Sequence, residues 1–409
     1  MLWYLALIPA IALLFYAGLP GIGAFRVRAR WRDFRRTVDE VSRYPTARAH
    51  TVGKERNAFM GLFRFFGTLE AIQGDNRIWI TNGRFSVAAD LRNVHVYLIP
   101  EGEGAAEGPG SAVAKPDVEL RSMPWSRIFS LPEGTPVFVA GALFSEEGRG
   151  LFRGYGKARL LVVIHDCPRE SILETAIRSG RQRNEYMNPF TLPSVAIGSL
   201  SLIVLAYSLL TNPEARIIAL IALSAGLAPV CPFLPPGFPL YFLYRRLWKK
   251  ARLMRIQRDL VRLPLRYFPP ASAGDGGGRR TTLLPDREPY IMVRGRIEQS
   301  DLLSSDGLRV ILPADIRRID VDLPRRAPRQ PPDECVVFGG YREEAGTITI
   351  SKPEDPMAGR VLLPGDPEDI SATSNSVARR YEMISGAFIV LNVAINLPLI
   401  FVLLLVLIR

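Results

Sequence analysis

Residues 192–211 read LPSVAIGSLSLIVLAYSLLT and residues 217–244 read IIALIALSAGLAPVCPFLPPGFPLYFLY; the basic run Arg245-Arg246-Leu247-Trp248-Lys249-Lys250 follows at once. Neither apolar stretch carries an acidic or basic side chain, and a helix crossing a ~30 Å hydrocarbon core needs about 20 such residues. Only residues 212–216 separate them, so the spacing predicts a hydrophobic hairpin. Its second arm holds Pro229, Pro232, Pro235, Pro236 and Pro239, which cannot all sit in one regular helix. A broken helix, or a short helix followed by an interfacial segment, is therefore expected there.

Outward from this hairpin, two further charge-free stretches lie near the chain ends, at about residues 2–25 and 383–408. The chain thus reads as four spans at 1–25, 192–211, 215–244 and 383–408. Polar segments fill the rest: a basic amphipathic stretch at 26–62, a β-domain with a C-terminal helix at 63–190, a basic helix and Gly-rich linker at 245–289, and a second β-domain at 290–370.

The net charge of +12 is concentrated in two places. Residues 25–50 carry +5 and residues 245–266 carry +8, which leaves the remainder at −1. Both basic segments directly follow a span, where lipid head groups meet them, and this argues against nucleic acid as the partner. Arg26, Arg28, Arg30, Arg32, Arg35 and Arg36, with Arg245, Arg246, Lys249, Lys250, Arg252 and Arg255, are the expected lipid-surface residues. Each segment also holds an apolar stripe at 3-4-3 spacing: Trp31, Phe34, Val38 and Val41 in one, Leu253, Ile256, Leu260 and Leu263 in the other. If both basic segments are cytoplasmic, both β-domains are as well, as in a multi-pass protein of a bacterial cytoplasmic membrane. A cleaved signal peptide is the rival reading of residues 1–25, but no Lys or Arg precedes that apolar run and six Arg follow it, which favours a retained anchor.

In the first polar domain, Asn82-Gly83 is a strong two-residue hairpin signal, predicting Ile80 opposite Phe85 and Ile78 opposite Val87. Val94, Val96 and Leu98 alternate with His95 and Tyr97, and residues 136–143 and 159–164 add strands around Gly turns. Residues 101–115 read as a flexible loop and 271–278 as a linker. A small, closed or nearly closed, OB-like barrel is expected.

The second half repeats this order. Gly67-Thr68-Leu69-Glu70 matches Gly295-Arg296-Ile297-Glu298, and Val137-Phe138-Val139-Ala140-Gly141 before Glu146-Glu147 matches Val336-Val337-Phe338-Gly339-Gly340 before Glu343-Glu344. Asp166, Pro168 and Ile172 match Asp366, Pro367 and Ile370, and Leu19-Pro20-Gly21 matches Pro235-Pro236-Gly237. The expected fold class is membrane α-helical spans plus two small all-β, OB-like barrel domains produced by internal duplication.

No catalytic constellation emerges. Cys167, Cys231 and Cys335 are far apart and without CxxC spacing, so they offer neither a disulfide framework nor a zinc site. His165-Asp166-Cys167 alternate sides along an extended chain and read as a strand end, and His95 as a surface histidine. The Glu146-Glu147 and Glu343-Glu344 pairs precede a Gly at hairpin tips, where solvated acids are common, and Gly274 to Gly278 lack the Lys-Ser/Thr of a phosphate loop. Neither a cofactor nor a metal is expected. Within the spans, Ser194 and Gly198 permit close helix approach, while Asn392 and Asn396, on one face with Ser385, should find partners on another span.

The run Leu131-Pro132-Glu133-Gly134-Thr135-Pro136-Val137-Phe138-Val139-Ala140-Gly141, in a β-domain bounded by two spans, resembles the membrane-bounded domain of the GIDE type, and NfeD-like OB domains look similar at the same stretch. The resemblance implies an anchored OB-like domain. It does not imply ligase activity, because the RING module of eukaryotic GIDE proteins needs cysteines and histidines that this chain lacks. The leading expectation is a non-enzymatic scaffold or assembly protein with a protein partner or a second copy of itself. The alternatives are a membrane enzyme using Glu70, Asp166, Glu298 and Asp366 between the domains, or a channel or transporter built on the broken third span.

Overall fold

The computed structural model describes residues 2–49, 58–74, 76–100, 120–128, 130–146, 148–156, 158–182, 188–269, 278–298, 301–304, 306–321, 334–344 and 346–407. The expected loop at 101–115 and nearly all of the linker at 271–278 lie outside them. The chain forms two compact units, one helical (Met1–Asp33, Gln182–Met254, Ser376–Arg409) and one β-rich (Phe34–Arg181, Arg255–Asn375).

Among the described residues, seven α-helices run in chain order as α1 (Leu2–Ala12), α2 (Leu19–Val41), α3 (Ile172–Gln182), α4 (Thr191–Leu210), α5 (Arg216–Gly226), α6 (Gly237–Arg262) and α7 (Pro367–Leu407). Among the described residues, three helical stretches are long and apolar enough to cross a membrane: Trp3–Val41, Thr191–Leu210 and Pro367–Leu407. The helix is not interrupted at Leu19-Pro20-Gly21. A π-helical turn, Leu13–Gly18, joins α1 to α2, with the Leu19 N–H bonded to the Leu14 carbonyl. Pro20 has no N–H and would crowd a regular turn before it; the wider π turn takes up that misfit and the helix runs on. The boundary expected at residue 25 therefore falls inside a helix.

The second arm of the hairpin is broken, as its prolines require. At 11 residues α5 is about 16 Å long, half a hydrocarbon core, and Ala228–Phe233 then form a 3-10 segment before α6. Between α4 and α5, the Asn212 side chain accepts the Glu214 N–H and caps a short 3-10 turn, Pro213–Ala215.

The sixteen strands among the described residues make two sheets. The first contains β1 (Ala58–Gln73), β2 (Arg77–Thr81), β3 (Ser86–Asp90), β4 (His95–Ile99), β5 (Arg121–Pro124), β6 (Pro136–Glu146), β7 (Arg149–Arg153) and β8 (Leu161–His165). The order β1-β2-β3-β7-β6 closes through the β1–β6 pairing into a five-strand barrel, with β3 and β7 parallel. Phe65, Ile78, Ile80, Val87, Val139 and Phe152 are among its buried core.

The β2–β3 hairpin sits where Asn82-Gly83 predicts it, but its register differs by two: Ile80 opposes Val87 and Ile78 opposes Ala89. The cause is the Asn82 side chain, which accepts both the Arg84 N–H (3.0 Å) and the Phe85 N–H (3.1 Å). That side-chain turn, with Gly83 at φ +82°, stretches the connection to four residues.

The second sheet contains β9 (Arg279–Leu283), β10 (Pro289–Glu298), β11 (Asp301–Ser304), β12 (Arg309–Ile311), β13 (Arg317–Arg318), β14 (Glu334–Glu344), β15 (Thr347–Ser351) and β16 (Val361–Leu363). Its hydrogen-bond path β10-β11-β12-β15-β14 returns to β10, and β12 and β15 are parallel. The expected domain start at 290 is late, because β9 already pairs with β10. Likewise β1 begins at Ala58 rather than 63, and α7 begins at Pro367, ahead of the span expected from 383.

Candidate functional site

The expected stripe on α2 is real: Trp31, Phe34, Val38 and Val41 are all buried, and Phe34 stacks on Tyr97 at 4.0 Å. On α6, Ile256 and Leu260 are buried and Leu253 is half-buried; Leu263, also half-buried, lies just past the end of the helix. Of the expected lipid-surface residues, Arg26, Arg28, Arg30, Arg32, Arg36, Arg245, Arg246, Lys249 and Lys250 are exposed. Arg35, Arg252 and Arg255 are half-buried, and the Arg255 guanidinium is taken by the Asn375 side-chain carbonyl.

In the helical unit, the four residues expected to mediate packing are buried at contacts between segments. Ser194 donates to the Phe15 carbonyl (2.6 Å) inside the π turn, and a Cβ on Gly198 would lie 2.5 Å from the Phe15 Cβ. Tyr16 of the same turn donates toward the Ala225 carbonyl at the end of α5 (3.2 Å), tying the π turn to that helix end. Asn392 donates to the Gly237 carbonyl (2.7 Å), and Asn396 donates back to the Asn392 backbone (3.0 Å). Asn188, which the sequence reading missed, does the same for the Pro20 carbonyl (3.1 Å). The accepting carbonyls belong to residues of α2, α6 and α7, so each amide ties a side chain to helix backbone. Gly198→Val should push the first helix away from α4, and an overpacking cost of about 1–3 kcal/mol would appear as a lower melting temperature in mild detergent.

The β-rich unit holds a site that the sequence did not suggest. Arg64 projects from β1 opposite Ala140 and is fully buried. Its Nη1 donates to the Ser42 carbonyl (2.9 Å), and its Nη2 lies 2.6 Å from the Asp355 carboxylate and 3.8 Å from Asp286. Both acids belong to the second sheet's half of the unit. Asp286 accepts the Thr46 N–H and hydroxyl, each at 3.0 Å, and Asp355 accepts the Met357 N–H at 2.9 Å. A buried guanidinium is tolerated only with such compensation. Beside it, Arg266 donates to the Tyr267 hydroxyl and the Met357 carbonyl, both at 2.7 Å. Burial pushes the Tyr267 and Tyr290 hydroxyls above their ordinary range, so both stay neutral.

Two further ion pairs cross the same seam. Glu174 on α3, buried, accepts from Arg178 (2.6 Å) and from Arg317 of β13. Lys352 meets Glu170 at 2.9 Å, and that hydrogen bond holds the Glu170 carboxyl below its usual range. The seam is therefore ionic, extended and partly dry, an arrangement suited to fixing two bodies in one register.

The other candidate residues stay apart. His165 is buried with Nδ1 on the Cys167 carbonyl (2.8 Å), a strand-end contact. Burial lowers its pKa, so below about pH 6.5 the unfolded chain takes up a proton that the folded chain resists, and stability falls. His165→Gln should flatten that part of a melting-temperature profile. His95 is exposed on β4, as expected. Glu146 pairs with Arg77 (3.1 Å) and Glu343 with Arg279 (2.6 Å), while Glu147 lies outside the described residues. Glu70 accepts from Ser86 and Asp366 pairs with Arg294; among the described residues no bond joins any two of Glu70, Asp166, Glu298 and Asp366. No protein-family model, no curated protein and no solved structure matches the chain.

Proposed function

We propose that this chain is a non-enzymatic, multi-pass membrane scaffold that presents two tandem OB-like barrels as one block at the cytoplasmic face, anchored by its spans and basic segments to anionic lipid. The carrying observation is the buried Arg64–Asp355–Asp286 cluster, which ties the two β-halves together.

Support for the tandem reading comes from registers. Gly67 faces Val137 and Gly295 faces Cys335, and each glycine lies where a Cβ would strike the neighbouring strand's carbonyl, of Thr81 at 2.5 Å or Leu303 at 2.2 Å. Carried round each sheet, the same offset matches Val139–Val162 to Val337–Leu362, Glu146–Arg149 to Glu344–Thr347, and Val87–Gly150 to Val310–Ile348. These registers slide the sequence alignment by one residue, pairing Val137 with Cys335 rather than Val336. The order one-two-three-five-four, closing on one, suits a five-strand Greek-key OB barrel, in line with the GIDE-type and NfeD-like resemblance. The amides of Asn188 and Asn392, each donating to the Pro-Gly region of a preceding apolar segment, fit the same duplication.

On this reading, affinity purification of the full chain from mild detergent recovers a specific partner in fixed stoichiometry. Asp355→Ala, which loosens the seam, reduces that recovery while the chain remains in the membrane. Repeated recovery of no specific partner would reject the scaffold reading.

A further inference from the structure

On the outside of the first barrel, Phe59 and Tyr155 are 48% and 56% exposed, yet their rings stack at 5.1 Å, and each lies 5.5 Å from the ring of Phe144. The Arg153 guanidinium sits 3.7 Å from the Phe144 ring centre, and Arg149 covers Trp79 at 5.3 Å. Strand register makes this one continuous row: Phe59 opposes Phe144, Phe144 opposes Leu151, Leu151 opposes Ala88, and Ala88 opposes Trp79. A register shift between Phe59 and Gly61, with Gly61 at φ +133°, bulges β1 where Phe59 meets Phe144; such bulges re-aim side chains.

The barrel does not need this cluster to close. By the registers above, the second sheet has Arg342 at the place of Phe144 and Ser351 at the place of Arg153, and its β10–β14 pairing runs without a shift. Exposed aromatic rings with arginine beside them are the side chains that dominate binding energy at protein interfaces. Charge narrows the occupant. Arg149 and Arg159 are exposed at the rim and Arg153 is half-exposed, whereas the nearby Glu146 already pairs with Arg77. A second copy docked on the same face would bring these arginines together.

We propose that the Phe59–Phe144–Tyr155 stack with Arg149 and Arg153 is the docking face for an acidic segment, carrying an aromatic or aliphatic anchor, of a different protein. This rests on the scaffold reading and names the chemistry of its partner.

The test places the photo-crosslinker p-benzoyl-phenylalanine at Tyr155 of the full-length chain in native membranes, with mass spectrometry of the captured peptide. The expected product is a peptide from another protein with more Asp and Glu than Lys and Arg and an apolar residue at the crosslink. A synthetic copy of it, labelled for fluorescence anisotropy, should bind the purified chain at least about 30-fold more weakly after Phe59→Ser. Arg153→Glu should weaken it similarly, with both variants melting like the wild type. Crosslinks to a second copy, to lipid or to nucleic acid, or no crosslink at all, would overturn the proposal. A partner recovered by affinity purification but indifferent to Phe59→Ser would also overturn it, and would leave the scaffold reading standing.

Discussion

Asp355→Ala should lower the unfolding free energy of the β-rich unit by about 3–5 kcal/mol, the cost of leaving a buried charge without its partner. Arg64 and Asp355 are both fully buried at 2.6 Å, so no water replaces the lost carboxylate, and Asp286, at 3.8 Å, is too far to take over without a shift. The size of the effect reports the stranding of Arg64, not the net worth of the pair. Removing both charges with apolar side chains, Arg64→Met together with Asp355→Leu, should therefore recover most of the loss. Met is the apt choice, because on the proposed tandem reading the place of Arg64 is taken in the second sheet by the buried Met292. Chemical unfolding of the single and double variants in mild detergent checks this; a double variant no better than Asp355→Ala would mean that the ion pair itself fixes the seam.

Phe338→Ala should cost a comparable 3–5 kcal/mol by leaving a large cavity. Phe338 is fully buried on β14 between Met292 of β10 and Val361 of β16, and its ring meets Phe268 at 6.0 Å. Phe268 follows the end of α6 and also packs on Tyr290, so the cavity opens where the basic helix hands over to the second sheet. Hydrogen exchange should accelerate first at residues 261–268 and in β9, the edge strand. A variant losing under 1 kcal/mol would mean that this layer collapses onto the gap.

The parts of the fold written in local sequence were readable. Charge-free runs marked the apolar helices, five prolines marked the break after α5, and the 3-4-3 stripe marked the buried face of α2. What failed depends on atoms that a pattern does not place. The β2–β3 register moved by two because one amide side chain, Asn82, holds two backbone N–H groups. The first helix ran past Pro20 because a π turn absorbs the misfit. Arg64 was the hardest to see. In Phe63-Arg64-Phe65 it reads as an ordinary outward charge between inward aromatics, and nothing local says that Asp286 and Asp355, in the other half of the chain, will enclose it.

On the proposed reading, the two β-halves behave as one block joined at the Arg64 cluster. Native-state hydrogen exchange on the full chain, wild type against Asp355→Ala, tests it most directly. Core amides of both sheets, such as Val139 and Val337, should open with one common free energy and accelerate together in the variant, by about 10²- to 5 × 10³-fold, the equivalent of 3–5 kcal/mol. Acceleration confined to one sheet, with the other unchanged, would contradict it.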